Sequence, residues 1–236
     1  RRLYVTSYFG PLMTHDEALW GCQAIVISPG ISLDHPLVME AMERDMPVIS
    51  EVELASYFAE APIVAITGTN GKTTSTILTG QMVADSGINA VVSGNIGRAF
   101  SDGVLSTIDE DRDTVLITEV SSFQLESIEE FRPHVAAILN ISRDHMDRYP
   151  SMREYIEAKY QITRNQDEDD YLVLNADDPI VMKVAEETEA QVYTFSLTQE
   201  VEQGAYVSED TIYLKEDGES IPFCKIDDVP IPGRHN

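Results

Sequence analysis

The run Ala65-Ile66-Thr67-Gly68-Thr69-Asn70-Gly71-Lys72-Thr73-Thr74 places a lysine and a hydroxyl directly after a glycine-punctuated turn. That order suits one kind of chemistry, the handling of a nucleotide phosphate. Glycines let the backbone turn so that successive amide N–H groups face an anion, and a helix starting there adds the positive end of its dipole. Lys72 can then reach the terminal phosphates while the Thr73 hydroxyl ligates Mg2+. The spacing is shorter than the common G-x-x-x-x-G-K pattern, whose first glycine would fall at Ile66. A plain glycine turn accounts for Gly68 and Gly71 but not for Lys72-Thr73 at a helix start.

Three more side chains have types and positions that fit such a site. Glu119 ends an apolar run, where its carboxylate either reaches a Mg2+ bound at Thr73 or caps the turn beginning at Ser121. His145, in Asp144-His145-Met146-Asp147-Arg148, follows a strand-like run and precedes a helical one. It serves there either as a structural hydrogen-bonder or, as neutral imidazole oriented by Asp144, as a ligand to a second metal. Ser151-x-x-Glu154 reads as a capping box opening a helix that extends to about Asn165. Met152, Tyr155, Ile156 and Thr163 form its inward stripe, and Lys159 falls within that stripe. An inward lysine snorkels or pairs with an acid. Beside a metal cleft, desolvation also lowers its pKa, and the neutral amine can take up CO2. The resulting carbamate offers oxygens to Mg2+, which an ammonium cannot do.

The elements that must hold these groups are legible as alternating patterns. Apolar runs at residues 62–66, 90–92, 114–118, 135–141, 171–174 and 191–195 are mostly separated by stretches of helical period, among them residues 74–86, closed by Gly87. This predicts an α/β fold with a mostly parallel sheet flanked by helices. Polar residues collect where five of the strands end: the 68–73 loop, Gly94-Asn95, Glu119 to Ser122, Asn140 with Asp144-His145, and Asn175 with Asp177-Asp178. Open parallel sheets bind ligands outside the carboxyl ends of their strands. From Val201 the texture changes, and residues 205–226, around Asp217-Gly218, are expected to form a β-hairpin attachment. Residues 1–50 hold a strand at 24–27, a helix from Pro36 to about Arg44 and a short strand at Val48-Ile49. They are expected to be part of an α/β unit too small to fold alone, with residues 51–236 forming the main domain.

Composition narrows the function. The chain has 236 residues, 43% of them apolar, enough for a sizeable core. No apolar run approaches the roughly 20 residues of a membrane span. No charged-then-apolar leader is present, so a cytoplasmic protein is expected. Cys22 and Cys224, set among apolar neighbours, are expected to be buried, reduced thiols. A formal charge of −25 argues against nucleic acid as a partner. It also repels anionic substrates, so local cations must hold them, and two of the five lysines are Lys72 and Lys159. A solvated acidic surface accounts for this charge, and so does a salt-rich cytoplasm.

Taken together, these motifs resemble the Mur ligases. The resemblance runs through Ser28-Pro29-Gly30-Ile31 with His35-Pro36, the 68–74 loop, Gly94-Asn95-Ile96-Gly97, Asn140-Ile141, residues 144–150, Tyr155 to Lys159, Asn175-Ala176-Asp177-Asp178 and Gly233-Arg234-His235-Asn236. The phosphate loop is shared with folylpolyglutamate synthases. The run Ser121-Ser122-Phe123-Gln124-Leu125-Glu126 resembles the D-glutamate-adding members. The resemblance implies a P-loop-like central ATPase domain and a partial Rossmann-like N-terminal domain. It implies ATP and two Mg2+ ions (or Mn2+) as cofactors, and UDP-N-acetylmuramoyl-L-alanine and D-glutamate as substrates joined through an acyl phosphate. A monomer is expected. Gly68, Thr69, Asn70, Gly71, Lys72, Thr73 and Thr74 then surround the ATP phosphates, and Asn236 lies near adenine. Thr73 and Glu119 hold one metal; His145 and a carbamylated Lys159 hold the other. Lys72, His145 and Lys159 are the catalytic set. Asn95, Ser121 and Gln124 match positions near the muramoyl-alanine arm, and Gly30 matches the uridine side. The family's first strands would precede Arg1 and its C-terminal domain would follow Asn236, so the chain by itself is expected to ligate poorly or not at all. Two other readings fit less well: a folylpolyglutamate-type or other amide ligase, and a non-catalytic nucleotide-binding module.

Overall fold

The computed structural model describes residues 14–108 and 113–229. Thr14 starts α1 (His15–Leu19) with a reciprocal capping box to Glu17. A short strand, β1 (Ile25–Ile27), then leads through α2 (Pro36–Glu43) to β2 (Val48–Ser50), and the two strands pair in parallel as a sheet of their own. The His35 side chain caps α2, and Pro36 occupies its first turn, where a missing N–H costs nothing. Ser50 ends β2 and caps α3 (Glu51–Ser56).

That helix binds the small sheet to the remainder of the chain. The Ser50 amide donates to Ser127 O at 3.2 Å. The Ser101 amide donates to the Glu51 carboxylate at 2.6 Å, at the start of a later helix. Glu53 is fully buried, and its carboxylate accepts from the amides of Glu130 at 2.7 Å and Phe131 at 3.0 Å.

The second sheet has nine strands. In chain order the elements are β3 (Ile63–Thr67), α4 (Lys72–Asp85), β4 (Asn89–Gly94), α5 (Phe100–Leu105), β5 (Thr114–Glu119), α6 (Ser122–Leu125), β6 (Val135–Ile138), α7 (Met152–Tyr160), β7 (Tyr171–Asn175), β8 (Gln191–Ser196), β9 (Gly204–Ser208), β10 (Thr211–Glu216) and β11 (Glu219–Lys225). Their order across the sheet is β11-β10-β9-β8-β7-β6-β3-β5-β4. Pairing is parallel from β4 through β9 and antiparallel from β9 to β11. The central strands β3, β5 and β6 are buried nearly throughout and read as near-continuous apolar runs, as strands covered on both faces do. Ala65, Leu116, Ile138, Leu172 and Leu174 anchor the core, and Phe100 and Phe131 meet edge to face at 6.2 Å.

Four local expectations change. Helix α4 begins at Lys72, two residues before the expected start, because its cap Gly71 takes a left-handed φ of 82°. Helix α7 stops at Tyr160 and a single 3-10 turn, Gln161–Thr163, follows it. The expected hairpin attachment is three antiparallel strands that extend the main sheet through β8–β9 pairing. Besides the turn at Asp217 (φ 52°) and Gly218 (φ 82°), a second turn at Glu209 (φ 55°) divides the segment, and no glycine marks it. Cys22 is exposed and Cys224 half-buried, against the expected burial of both: Cys22 lies just past α1, and Cys224 on the edge strand β11. Among the described residues, no helix is long and apolar enough to cross a membrane.

At the amino-terminal edge of the sheet, buried Asp170 holds three strands together. Its carboxylate accepts from Arg132 Nε at 2.7 Å and the Asp167 amide at 3.0 Å, and lies 3.1 Å from His134 Nδ1; its carbonyl accepts from the Gln191 amide at 2.9 Å. Burial pushes this carboxyl up, but Arg132, the Asp167 amide and His134 outweigh it and leave it below the usual carboxylate range. A lowered folded-state pKa contributes stability above the unfolded value that is lost as pH falls through the folded one. Asp170→Asn is therefore expected to cost about 2 kcal/mol at neutral pH in urea unfolding. The gap to the parent protein should narrow once the pH drops below about 4.

Candidate active site

The carboxyl edge of the sheet is where the sequence motifs meet. β3 runs into the 68–71 turn, and the left-handed Gly71 lets α4 start at once, with no side chain capping it. The amides at the start of a helix have no intrahelical acceptor, so those of Gly71, Lys72, Thr73 and Thr74 are left for an anion. The first half of the turn is already committed. The Thr69 amide donates to Asn140 O at 2.9 Å, and the Asn70 amide to Asn140 Oδ1 at 2.8 Å. Asn140 Nδ2 returns a bond to Asn70 O at 3.0 Å. The anion cradle is thus narrower than the sequence pattern suggests. Asn140 is visible in the sequence as a polar strand ending, but nothing there marks it as a clamp on the turn.

Glu119, at the end of β5, is buried beside α4. Its Oε2 accepts from the Thr73 hydroxyl at 2.7 Å and its Oε1 from Asn95 Nδ2 at 2.9 Å. The Asn95 amide also donates to Glu119 O at 2.8 Å. This close pass requires Gly94 (φ 104°), where a Cβ would lie 2.3 Å from the Glu119 carbonyl oxygen. Asn95 therefore holds Glu119 from both side chain and backbone.

The two lysines fold over the turn from opposite sides in sequence. Lys72 Nζ donates to Thr69 O at 2.9 Å, and buried Lys159 Nζ to Gly68 O at 2.8 Å. Burial first, and then the charge of Lys72, pushes the Lys159 amine down to about 7, with Asp144 opposing. Lys159 Nζ also sits 4.7 Å from the Tyr155 ring centroid, and the Tyr155 hydroxyl is 3.0 Å from Thr69 Oγ1. Tyr155, expected only as part of an inward stripe, is thus a support of the turn.

His145 reaches the group less directly. It is half-exposed, takes a left-handed φ of 53°, and packs against the rings of Phe123 at 4.9 Å and Tyr155 at 6.3 Å. Asp144 accepts from the His145 amide at 2.8 Å, and its other oxygen lies 3.5 Å from Nε2. Ser121 and Gln124 face each other: the Ser121 amide and hydroxyl both donate to Gln124 Oε1 at 2.9 Å. Gly30 sits on the exposed turn after β1, where a Cβ would meet no atom within 4 Å, and Asn236 lies outside the described residues.

The donor set can be tested against a metal. The Thr73 hydroxyl and Glu119 carboxylate are adjacent hard oxygens, which suit Mg2+ completed by phosphate and water. Among the described residues no three His, Cys, Asp or Glu side chains form a metal cluster. The His145 imidazole and the Lys159 amine are nitrogen groups, whereas Mg2+ prefers oxygen ligands. A cavity of about 590 Å3, lined by Tyr57, Glu130, Arg132, His134 and Asp170, lies at the opposite edge of the sheet, away from all these groups.

A helix whose first amides have no intrahelical acceptor, entered from a parallel strand and flanked by a lysine and a buried carboxylate, defines an α/β domain with an anion-accepting turn at the carboxyl edge of its sheet. Residues 66–236 match the profile of the Mur ligase middle domain, and the chain belongs to the Mur ligase family. It is 41% identical over 220 residues to the UDP-N-acetylmuramoylalanine--D-glutamate ligase of Thermoanaerobacter sp. (strain X514), covering 93% of this chain and 48% of that protein. It is 44% identical over 223 residues to the enzyme of the same name from Clostridioides difficile (strain 630), covering 94% and 49%. The chain thus spans about half the length of the curated relatives it matches. Its fold resembles that of the UDP-N-acetylmuramate:L-alanyl-gamma-D-glutamyl-meso-diaminopimelate ligase from Neisseria meningitides, with a TM-score of 0.59 at 18% identity, over 98% of this chain and 80% of that one.

Asn140→Ala removes both bonds to the Asn70 peptide. ATP affinity, measured by calorimetry on the full-length protein, is expected to fall about tenfold, the equivalent of about 1.4 kcal/mol.

Proposed function

We propose that this chain is the middle part of a cytoplasmic, monomeric ATP-dependent ligase that joins D-glutamate to the carboxylate of UDP-N-acetylmuramoyl-L-alanine in peptidoglycan precursor synthesis. The observation that carries the reading is the convergence of Thr73, Glu119, Lys72 and Lys159 on one turn. The identity to relatives named for that reaction supports the choice of substrates. In this reading residues 1–50 belong to a UDP-substrate domain and residues 51–236 to the ATP domain.

A carboxylate is a poor electrophile. Transfer of the γ-phosphoryl group from ATP gives an acyl phosphate and ADP; the D-glutamate amine then attacks the acyl carbon. The tetrahedral adduct gives up one N–H proton, which ends on the departing phosphate or in water, and collapses with cleavage of the C–O bond to phosphate, leaving an amide. Anions meet throughout, so positioning and charge neutralisation carry the catalysis. Lys72 exchanges the Thr69 carbonyl for the moving phosphoryl group, and the amides of Gly71, Lys72, Thr73 and Thr74 hold the remaining phosphate oxygens. Gly68, Thr69 and Asn70 shape the turn. Thr73 and Glu119 hold Mg2+ (or Mn2+), which supplies charge neutralisation when bound. The neutral Lys159 amine adds to CO2: an N–C bond forms, one C=O π bond opens and one N–H proton leaves to water; the anionic carbamate, with His145, would hold a second ion and so supply further charge neutralisation. Asn95 and Ser121, the latter held by Gln124, face the muramoyl-alanine arm. Gly30 serves the uridine end, and Asn236 the adenine.

The full-length protein should release ADP only when UDP-N-acetylmuramoyl-L-alanine and D-glutamate are both present. Equal turnover with meso-diaminopimelate or lysine on a dipeptide precursor overturns the assignment. Lys159→Ala should lower the rate by about a hundredfold or more, and a small carboxylate in the buffer should restore part of it. Unchanged activity in that variant removes Lys159 from the ligand set.

A further inference from the structure

Arg148 lies in none of the roles assigned above, yet one guanidinium joins three segments of the site. Its Nη1 donates to Pro29 O at 2.8 Å and its Nη2 to Ile31 O at 3.1 Å, across 119 and 117 residues of chain. Its Cζ stands 4.0 Å from the Phe123 ring centroid, on the helix that begins beside Ser121. The Glu126 carboxylate is 3.6 Å away. Its own amide donates to His145 O at 3.0 Å, and the Phe123 ring beneath it packs on His145.

We infer that Arg148 is a positioning residue that registers the 28–31 turn, and Gly30 within it, against the segments carrying Ser121 and His145. This rests on the ligase reading, in which Gly30 and Ser121 contact opposite ends of one substrate.

The geometry explains why this task falls to an arginine. The two bonded carbonyls lie on either side of Gly30, one in the peptide that enters it and one in the peptide after Ile31, so holding both fixes the course of the turn through Gly30. The turn has little else to fix it: Ile31 N donates to Ser28 O at 2.9 Å, and Ser28 and Gly30 are exposed. The β1–β2 pair shares no strand pairing with the nine-stranded sheet. A planar fork presents two N–H groups at fixed spacing and stacks on an aromatic face, whereas an ammonium is a point charge that can do only one of these well. The contact with Glu126 is the looser one, so the ion pair is secondary to the carbonyl bonds.

The test uses the full-length protein with R148K and R148M, both checked for folding by thermal melting. Initial rates of ADP release are measured against UDP-N-acetylmuramoyl-L-alanine and against ATP separately, and amide hydrogen exchange is followed in peptides covering residues 28–35. Both variants should raise KM for the UDP substrate about tenfold and leave KM for ATP within about twofold. Exchange in residues 28–35 should quicken, and R148K should fail to rescue although it keeps the charge. If R148M does not fold, R148K alone carries the comparison. A UDP-substrate KM at the parent value, a parallel rise in both KM values, or unchanged exchange overturns the role. A parent protein that releases no ADP with this substrate overturns the ligase reading instead, and the exchange measurement then decides the role of Arg148 unaided.

Discussion

Parallel strand pairing is the constraint from which the site follows. Ile66 pairs with Glu119, Glu119 with Gly94, and Thr67 with Ile138, so four neighbouring strands end along one line. Each strand then delivers what comes next in its sequence to the same edge: the phosphate turn, the carboxylate, Asn95 and Asn140. A one-residue slip in any of these pairings would carry Glu119 or its neighbours to the opposite face of the sheet. Ala65, Leu116 and Ala136 are fully buried in the observed register, so a slip would also disturb their packing.

On that edge, charge is managed locally against an unfavourable background. The chain carries −25 overall, yet Lys72 and Lys159 stand close enough for one to depress the other. Both lysine amines are held on main-chain carbonyls of the turn, and among the described residues neither forms an ion pair with a carboxylate. A carboxylate on Lys72 would neutralise its charge; a carbonyl leaves that charge uncompensated. The one buried carboxylate nearby, Glu119, is occupied by a hydroxyl and an amide instead of a lysine.

Much of this was legible in the linear chain. The apolar runs at β3, β5 and β6 are legible to within a few residues, since strands buried on both faces show no alternation to confuse them. The glycine turn after β3 was legible because few other backbones can enter a helix so abruptly. The turn at Glu209 was not, because a non-glycine residue in the left-handed region carries no local mark. Nor was the exposure of Cys22 and Cys224, since apolar neighbours in sequence are not neighbours in space.

The amino-acid sequence by itself determined the α/β alternation and the glycine turn that leads from a strand into a helix, because these depend on local periodicity and residue chemistry. Only the tertiary structure decided which turn amides remain free, that Asn140 and Tyr155 support the turn, that Asn95 holds Glu119, and that Arg148 bridges segments more than a hundred residues apart. Those are contacts between residues distant along the chain, and their partners are chosen by packing and register, which no local pattern encodes.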